Sequence, residues 1–218
     1  MRIYSDLFGK TVALHSLLEA WDKFKAGKRH RPDVQLFERN LEDNLFILHE
    51  DLIQKRYRHS PYSSFYIQDP KVRLIHKSTV RDRIVHHAVF KTLNAIFEPT
   101  FIFDSYSCRE GKGAHRAVQR LKFFADRIYR MHQKCFVLKC DIEKFFHSID
   151  HEILLSMISK RIKDTDLINL IQELIHSFSA ETAARQERER ERERAVAQSA
   201  TSLRNSSPIS ISTNWISL

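Results

Sequence analysis

The sequence predicts an α+β fold that is mostly helical, with one β-hairpin, one short buried strand and a C-terminal tail that forms no packed structure. Three patterns predict it. Several long segments repeat apolar residues every three or four positions. One segment switches to strict alternation. A third is a short, mostly apolar run that stops abruptly at an aspartate.

In chain order, residues 11–26 carry Val12, Leu14, Leu17, Leu18, Trp21 and Phe24 at helical spacing, and Gly27 supplies a C-terminal stop. Lys28-Arg29-His30-Arg31 is a basic linker, as readily a solvated loop as an RNA contact. A second helix runs from about Val34 with Leu36, Phe37, Leu41, Leu45, Leu48 and Leu52 on one side, and Asp33 follows Pro32 as a candidate cap. Over 62–76 the period becomes two. Ser63, Phe65 and Ile67 alternate with their neighbours, Gln68-Asp69-Pro70-Lys71 is turn chemistry, and Val72, Leu74 and His76 alternate on the return.

The clearest helix is Thr79 to Glu98. Thr79-x-x-Asp82 resembles a capping box, Val80, Ile84, Ala88, Val89, Leu93, Ile96 and Phe97 form its buried stripe, and Pro99 ends it. His86 and His87 inside it read as packing or surface residues before ligands. A loop covers Phe101 to Gly113. Then Ala114, Ala117, Val118, Leu121, Ala125, Ile128 and Met131 repeat at helical spacing, with Arg116, Arg120, Lys122, Arg127 and Arg130 around the same helix. The buried strand is expected over 135–141. Two helices follow, about Asp150–Lys160 and Asp164–Phe178.

The bulk properties narrow the function. A net charge of +9, from 36 Lys and Arg against 27 Asp and Glu, suits a polyanionic partner. Three cysteines without framework spacing fit a reducing cytoplasm, here expected to be prokaryotic, and not a disulfide scaffold. No zinc spacing, P-loop, signal peptide or bilayer-spanning run is present, so no membrane partner is expected.

Chemistry is expected at the end of the 135–141 strand. A carboxylate there is held rigidly and points out of the sheet edge, and Mg²⁺ takes hard oxygen ligands, usually one or two protein carboxylates plus substrate phosphates. The plainer alternative is an aspartate that caps the next turn.

Asp141-Ile142-Glu143-Lys144-Phe145-Phe146 resembles the first catalytic motif of the palm of reverse transcriptases, most closely the bacterial group II intron and diversity-generating retroelement types. The resemblance implies that Asp141 binds two catalytic Mg²⁺ ions, with the Ile142 carbonyl a lesser ligand. It also implies that Phe146 is the steric gate under the sugar of the incoming nucleotide. The segment from Arg73 to His86 resembles the fingers, where basic side chains hold the nucleotide triphosphate. Arg73 and Arg83 are the leading candidates, then Lys77 and Arg81. The segment from Phe103 to His115 resembles the motif whose arginine lies along template or primer backbone, which maps to Arg109, with Lys112 beside it. The family usually has Gly-Phe-Arg-Pro where this chain has Ser107-Cys108-Arg109-Glu110. The implied partners are an RNA template, a DNA or RNA primer, dNTPs and a basic accessory protein of the retroelement.

The resemblance spans roughly Leu36 to Phe178, and then a departure begins. The family's Tyr-x-Asp-Asp hairpin is missing, no Asp-Asp occurs anywhere, and the last acidic residue is Glu193. Arg185 to Arg194 is an Arg-Glu low-complexity tract, and from Ala195 the chain is Ser/Thr/Asn-rich without period, so disorder is expected. Residues Ala197 to Ser217 have a second reading. With codons chosen within their degeneracy and read from each third base, they can encode Pro-Ile-Gly-Asn-Leu-Thr-Ser-Gln-Leu-Phe-Ala-Asn-Ile-Tyr-Leu-Asn-Glu-Leu-Asp-Gln. That resembles the missing family segment, in the Ile-Gly-x-x-x-Ser-Gln form of the diversity-generating branch, and implies a frameshift near the Arg-Glu tract. The expected organisation is an N-terminal helical segment over 1–60, fingers and partial palm over 61–180, and a frameshifted tail over 181–218. An RNA-directed DNA polymerase left incomplete and inactive alone, an RNA-binding module without catalysis and a decayed fragment all stay open on the sequence.

Overall fold

A computed structural model describes residues 2–69, 71–142 and 145–178, and the expected tail over 181–218 lies outside them. The helices are α1 (Phe8–Val12), α2 (Leu14–Lys25), α3 (Pro32–Arg39), α4 (Leu41–Ile53), α5 (Val80–Phe97), α6 (Ala114–His132), α7 (Phe145–Ser148), α8 (His151–Ser159) and α9 (165–178). A 3-10 turn, Glu98–Thr100, follows α5. The strands β1 (Ser63–Asp69) and β2 (Lys71–Lys77) pair antiparallel, from Ser63 opposite Lys77 to Asp69 opposite Lys71. The α+β class and the mostly helical character are as expected.

The two N-terminal helices are each split. The first breaks at Ala13, whose ψ of 142° leaves the helical region, and the second at Asn40, with φ −121° and ψ 45°. Apolar spacing continues across both breaks, so periodicity alone does not reveal them. Gly27 takes φ +69°, the left-handed conformation that ends a helix cheaply in glycine. Asp33 does not cap α3. Pro32 fits the first helical position with its fixed φ, which moves the N-cap back to Arg31 and frees the Asp33 carboxylate for Lys77.

One core joins α1 to α5 with α8 and α9. Val12, Leu17, Trp21 and Phe24 meet Leu45, Leu48 and Leu52 of α4, the Ile84, Val85, Ala88 and Val89 stripe of α5, and Leu155, Ile158, Ile162, Leu167 and Ile171 from α8 to α9. Trp21 is fully buried and stacks obliquely on Phe37 at 5.4 Å between ring centres. Asp164 joins the ends of this core. Its carboxylate accepts N–H groups from Leu7 and Phe8, both at 2.7 Å, and from Leu167 at 3.1 Å. It therefore serves the starts of α1 and α9 together. Burial raises its pKa, but these backbone donors outweigh burial and hold it below the usual value.

The strand expected over 135–141 is not formed. Residues 134–142 have no regular secondary structure, and Phe136 and Leu138 are 91% and 87% exposed. A strand needs a neighbour to satisfy its N–H and C=O groups, and the one sheet among the described residues is the β1–β2 pair.

Candidate nucleic-acid site

The local sequence places the basic side chains where β2 hands over to α5. Thr79 caps α5, accepting from the Asp82 N–H at 3.3 Å and donating to the Asp82 carboxylate at 2.6 Å. Asp82 is 0% exposed and gathers the surrounding chain. It also accepts from the Tyr57 hydroxyl at 2.9 Å and from the Ser60 N–H at 3.2 Å. Burial and the adjacent Asp82 carboxylate push the Tyr57 phenol well above its ordinary pKa, so it stays a donor.

The expected phosphate-binding cations hang on this frame, and each described one has a partner. Lys77 pairs with Asp33 at 2.6 Å. Arg81 reaches Asp51 at 2.9 Å and Asp82 at 3.6 Å, donates to the Arg58 carbonyl at 3.2 Å and lies over the Tyr57 ring at 4.8 Å. Arg83 sits over Phe24 at 5.5 Å; burial lowers its pKa, and Asp33 opposes that. Residue 73 lies on β2 opposite Ile67. Beside these groups a cleft of about 500 Å³ opens between α3, α4 and the hairpin base, lined by Asp33, Asn40, Asn44, Ser63, Lys77 and Arg81. The sequence indicated the cations. It did not indicate Asp33, Asp51 and Tyr57 as their partners, because those come from segments far away in the chain.

His86 also lies at this junction. It is largely buried, with its ring stacked on His59 at 5.2 Å, and His59 stacks in turn on Tyr62 at 4.6 Å. Burial, then the neighbouring His59, lowers the His86 pKa to about 4, so it is neutral at pH 7. Packing is thus its visible role.

The loop from 101 to 113 carries the expected template contacts. Arg109 is nearly enclosed and its donors are used within the protein. It pairs with Glu98 at 2.8 Å and donates to the carbonyls of Ile102 at 2.8 Å and Ser105 at 3.0 Å. Lys112 donates to the Phe103 carbonyl at 2.6 Å, with its ammonium 3.7 Å from the Phe103 ring centre. Both side chains therefore brace the loop from inside.

Asp141 and Ile142 are exposed, and the Asp141 carboxylate accepts the Ile142 N–H at 3.0 Å. Among the described residues no three His, Cys, Asp or Glu side chains are grouped to hold a metal. One exposed carboxylate does not make a two-metal site. Phe146 lies within α7, and its side chain falls outside the described set. Among the described residues, no helix is long and apolar enough to cross a membrane.

Residues 67–199, more than half of the chain, match the family model described as reverse transcriptase (RNA-dependent DNA polymerase). The protein YkfC of Escherichia coli K12 is 26% identical over 153 residues, covering 67% of this chain and 40% of the relative. The group II intron-encoded protein LtrA of Lactococcus lactis is 27% identical over 139 residues, covering 62% of this chain and 22% of the relative. Nuclear intron maturase 4, mitochondrial, of Arabidopsis thaliana is 26% identical over 180 residues, covering 80% and 21%. The chain thus spans two fifths or less of the length of these relatives.

Proposed function

Because the chain belongs to the reverse transcriptase (RNA-dependent DNA polymerase) family, we propose that it supplies the fingers and first palm portion of an enzyme that copies RNA into DNA. The observation that carries this reading is order. The basic hairpin exit, the capped helix α5, the Arg109-braced loop, α6 and then Asp141 follow one another within the matched segment.

The reaction would be attack of a primer 3′-hydroxyl on the α-phosphate of a dNTP, with pyrophosphate leaving. Within it, Arg73, Lys77, Arg81 and Arg83 would face the triphosphate. Lys77 and Arg81 are already set by Asp33 and Asp51, so phosphate would compete with carboxylates for them. Arg109 and Lys112 would act by holding the 101–113 loop against template or primer backbone. Phe146 would close the space that a 2′-hydroxyl needs. Asp141 would be one carboxylate of a Mg²⁺ site that the described residues do not complete.

Completion would come from the alternative reading of Ala197–Ser217. We take the family sequence to continue in the frame shifted there, in the form found in diversity-generating retroelements. The 218-residue polypeptide would then bind nucleic acid without polymerising. A non-catalytic RNA-binding module is the second reading, favoured by the single carboxylate at the expected metal position.

Both readings require electrostatic binding to RNA. Affinity of the 218-residue chain for single-stranded RNA, plotted as log K against log salt, should fall with a slope of about −0.7 per phosphate neutralised. A flat plot removes nucleic acid as the partner of this surface.

A further inference from the structure

The cations where β2 meets α5 differ in how firmly they are held. Arg81 is shared among the Asp51 and Asp82 carboxylates, the Arg58 carbonyl and the Tyr57 ring, so it is built into the frame. Among the described residues the Lys77 ammonium has a single partner, the Asp33 carboxylate at 2.6 Å. Asp33 also acts on Arg83. Burial lowers the Arg83 pKa, the Asp33 charge raises it, and the like charge of Arg31 lowers it further. Burial works to raise the Asp33 pKa in turn, but the bond from Lys77 and the charges of Lys77 and Arg83 hold it below its usual value. Asp33 is therefore an anion at pH 7, and one carboxylate of α3 serves a cation of β2 and a cation of α5. It does so in the wall of the cleft of about 500 Å³. An anion served by basic side chains from two different elements is what a bound phosphate group would be. The helix that carries it is lightly anchored. Of the eight residues of α3 only Val34 is buried, and the Lys77 and Asp33 side chains are 31% and 33% exposed, so solutes reach the pair.

We propose that Asp33 is a built-in stand-in for a phosphate. It fills the seat at Lys77 and Arg83 in the free protein, and it swings out when the triphosphate of an incoming nucleotide enters the cleft. This rests on the triphosphate reading of Lys77 and Arg83 given above and adds to it an acidic residue that limits binding. Without an anion in the seat, Lys77, Arg83 and Arg31 would repel one another. Asp33 keeps them together, and because a partly exposed ion pair contributes little, it yields to a ligand that brings more charge. A competitor carried by the same chain lowers the apparent affinity by the fraction of molecules whose seat is open. Removing Asp33 should therefore tighten binding. A residue that only positioned the two cations would have the opposite effect.

The test titrates the 218-residue chain with inorganic triphosphate in a calorimeter, without divalent metal. The probe has no base or sugar, so it reads the phosphate seat alone. Wild type should bind, and Asp33→Asn should bind about three- to fivefold more tightly. Asp33→Ser, a second neutral variant with a shorter side chain, should show the same gain. Asp22→Asn removes an equal charge from the ion pair with Lys25 on α2 and should leave the affinity unchanged. In a Lys77→Gln background the gain from Asp33→Asn should largely disappear. Unchanged far-UV circular dichroism shows that the variants remain folded. Equal or weaker binding by either folded neutral variant overturns the stand-in while wild-type binding keeps the triphosphate reading. An equal gain from Asp22→Asn, or the full gain without Lys77, also overturns it, since either would be plain charge repulsion. No binding by any of these chains removes the triphosphate reading and the stand-in together.

Discussion

At the scale of single residues, the junction of β2 and α5 shows how a carboxylate organises a basic surface. Asp82 sits at the first turn of α5, where the helix dipole favours negative charge, and it fixes Tyr57, Ser60 and Thr79 around one buried site. The neighbouring His86 must stay neutral to remain packed. Asp82 works against that by raising its pKa, while burial and the charges of His59, His87 and Arg83 lower it to about 4. The pH dependence has a definite sign. Above about 6.5, His86 is neutral in the folded and unfolded states, so it contributes no slope. Between about 6.5 and about 4 the unfolded chain takes up a proton that the folded protein refuses. Stability therefore falls as pH falls and levels off below that range. The expected loss from this group is about 2–3 kcal/mol by pH 4. Urea unfolding of wild type and His86→Phe at pH 7 and pH 4.5 checks it. The variant should lose clearly less stability on acidification, and parallel losses would show that His86 is not the titrating group.

At the scale of elements, the loop between α5 and α6 owes its shape to one guanidinium. Arg109 ties the Glu98–Thr100 turn to two loop carbonyls, and within that frame Lys112 N–H reaches the Arg109 carbonyl and Gly113 N–H the Tyr106 carbonyl. Lysine keeps the charge but has no rigid fork, so Arg109→Lys should loosen the loop selectively. Amides of Lys112 and Gly113 should exchange at least tenfold faster, while global stability falls by about 1–2 kcal/mol. Uniform loss of protection through the core would contradict this local role. Local chemistry made much of this level legible in advance. Alternation over 62–76 and the Thr79 cap mark β1, β2 and the start of α5, and Asp150 caps α8 by accepting the Ile153 N–H at 3.0 Å. The breaks at Ala13 and Asn40 were not legible, because they interrupt the backbone without interrupting the apolar spacing. Nor was the absence of a strand at 135–141, since a strand depends on a partner remote in sequence. The same applies to the site. Lys77 and Arg81 could be picked out as cations, but Asp33 and Asp51 reach them only through the fold.

At the scale of the whole molecule, the proposed polymerase reading separates two polypeptides. The 218-residue chain offers Asp141 without a second acidic pair, and a single carboxylate cannot organise both ends of an in-line phosphoryl transfer. It should not extend a primer on an RNA template. A chain repaired to the shifted frame, with its downstream continuation, should extend one with dNTPs and Mg²⁺. In the repaired chain Asp141→Asn should abolish extension at unchanged fold, since the amide keeps size and loses charge. Phe146→Val should retain part of the activity and incorporate more ribonucleotide. Gel-resolved primer extension reads all of these outcomes. Robust synthesis by the 218-residue chain would refute the account of its tail, and an active Asp141→Asn variant would refute the site.

The Asp164 carboxylate has a consequence for how this protein is made. It supplies the acceptor for the first N–H groups of α1 across a separation of 157 residues. Polymer scaling puts the entropy of closing such a loop at about 4–5 kcal/mol, which must be met by everything that packs when the ends meet. On a ribosome, the beginning of the chain emerges long before its partner does. Helix α1 can bring Thr11 against Thr92 and the Val12 carbonyl against His49 before then, but its first N–H groups, on Leu7 and Phe8, have no acceptor until residue 164 has left the exit tunnel. Those two amides are thus made early and satisfied late, although the rest of their helix can already be packed.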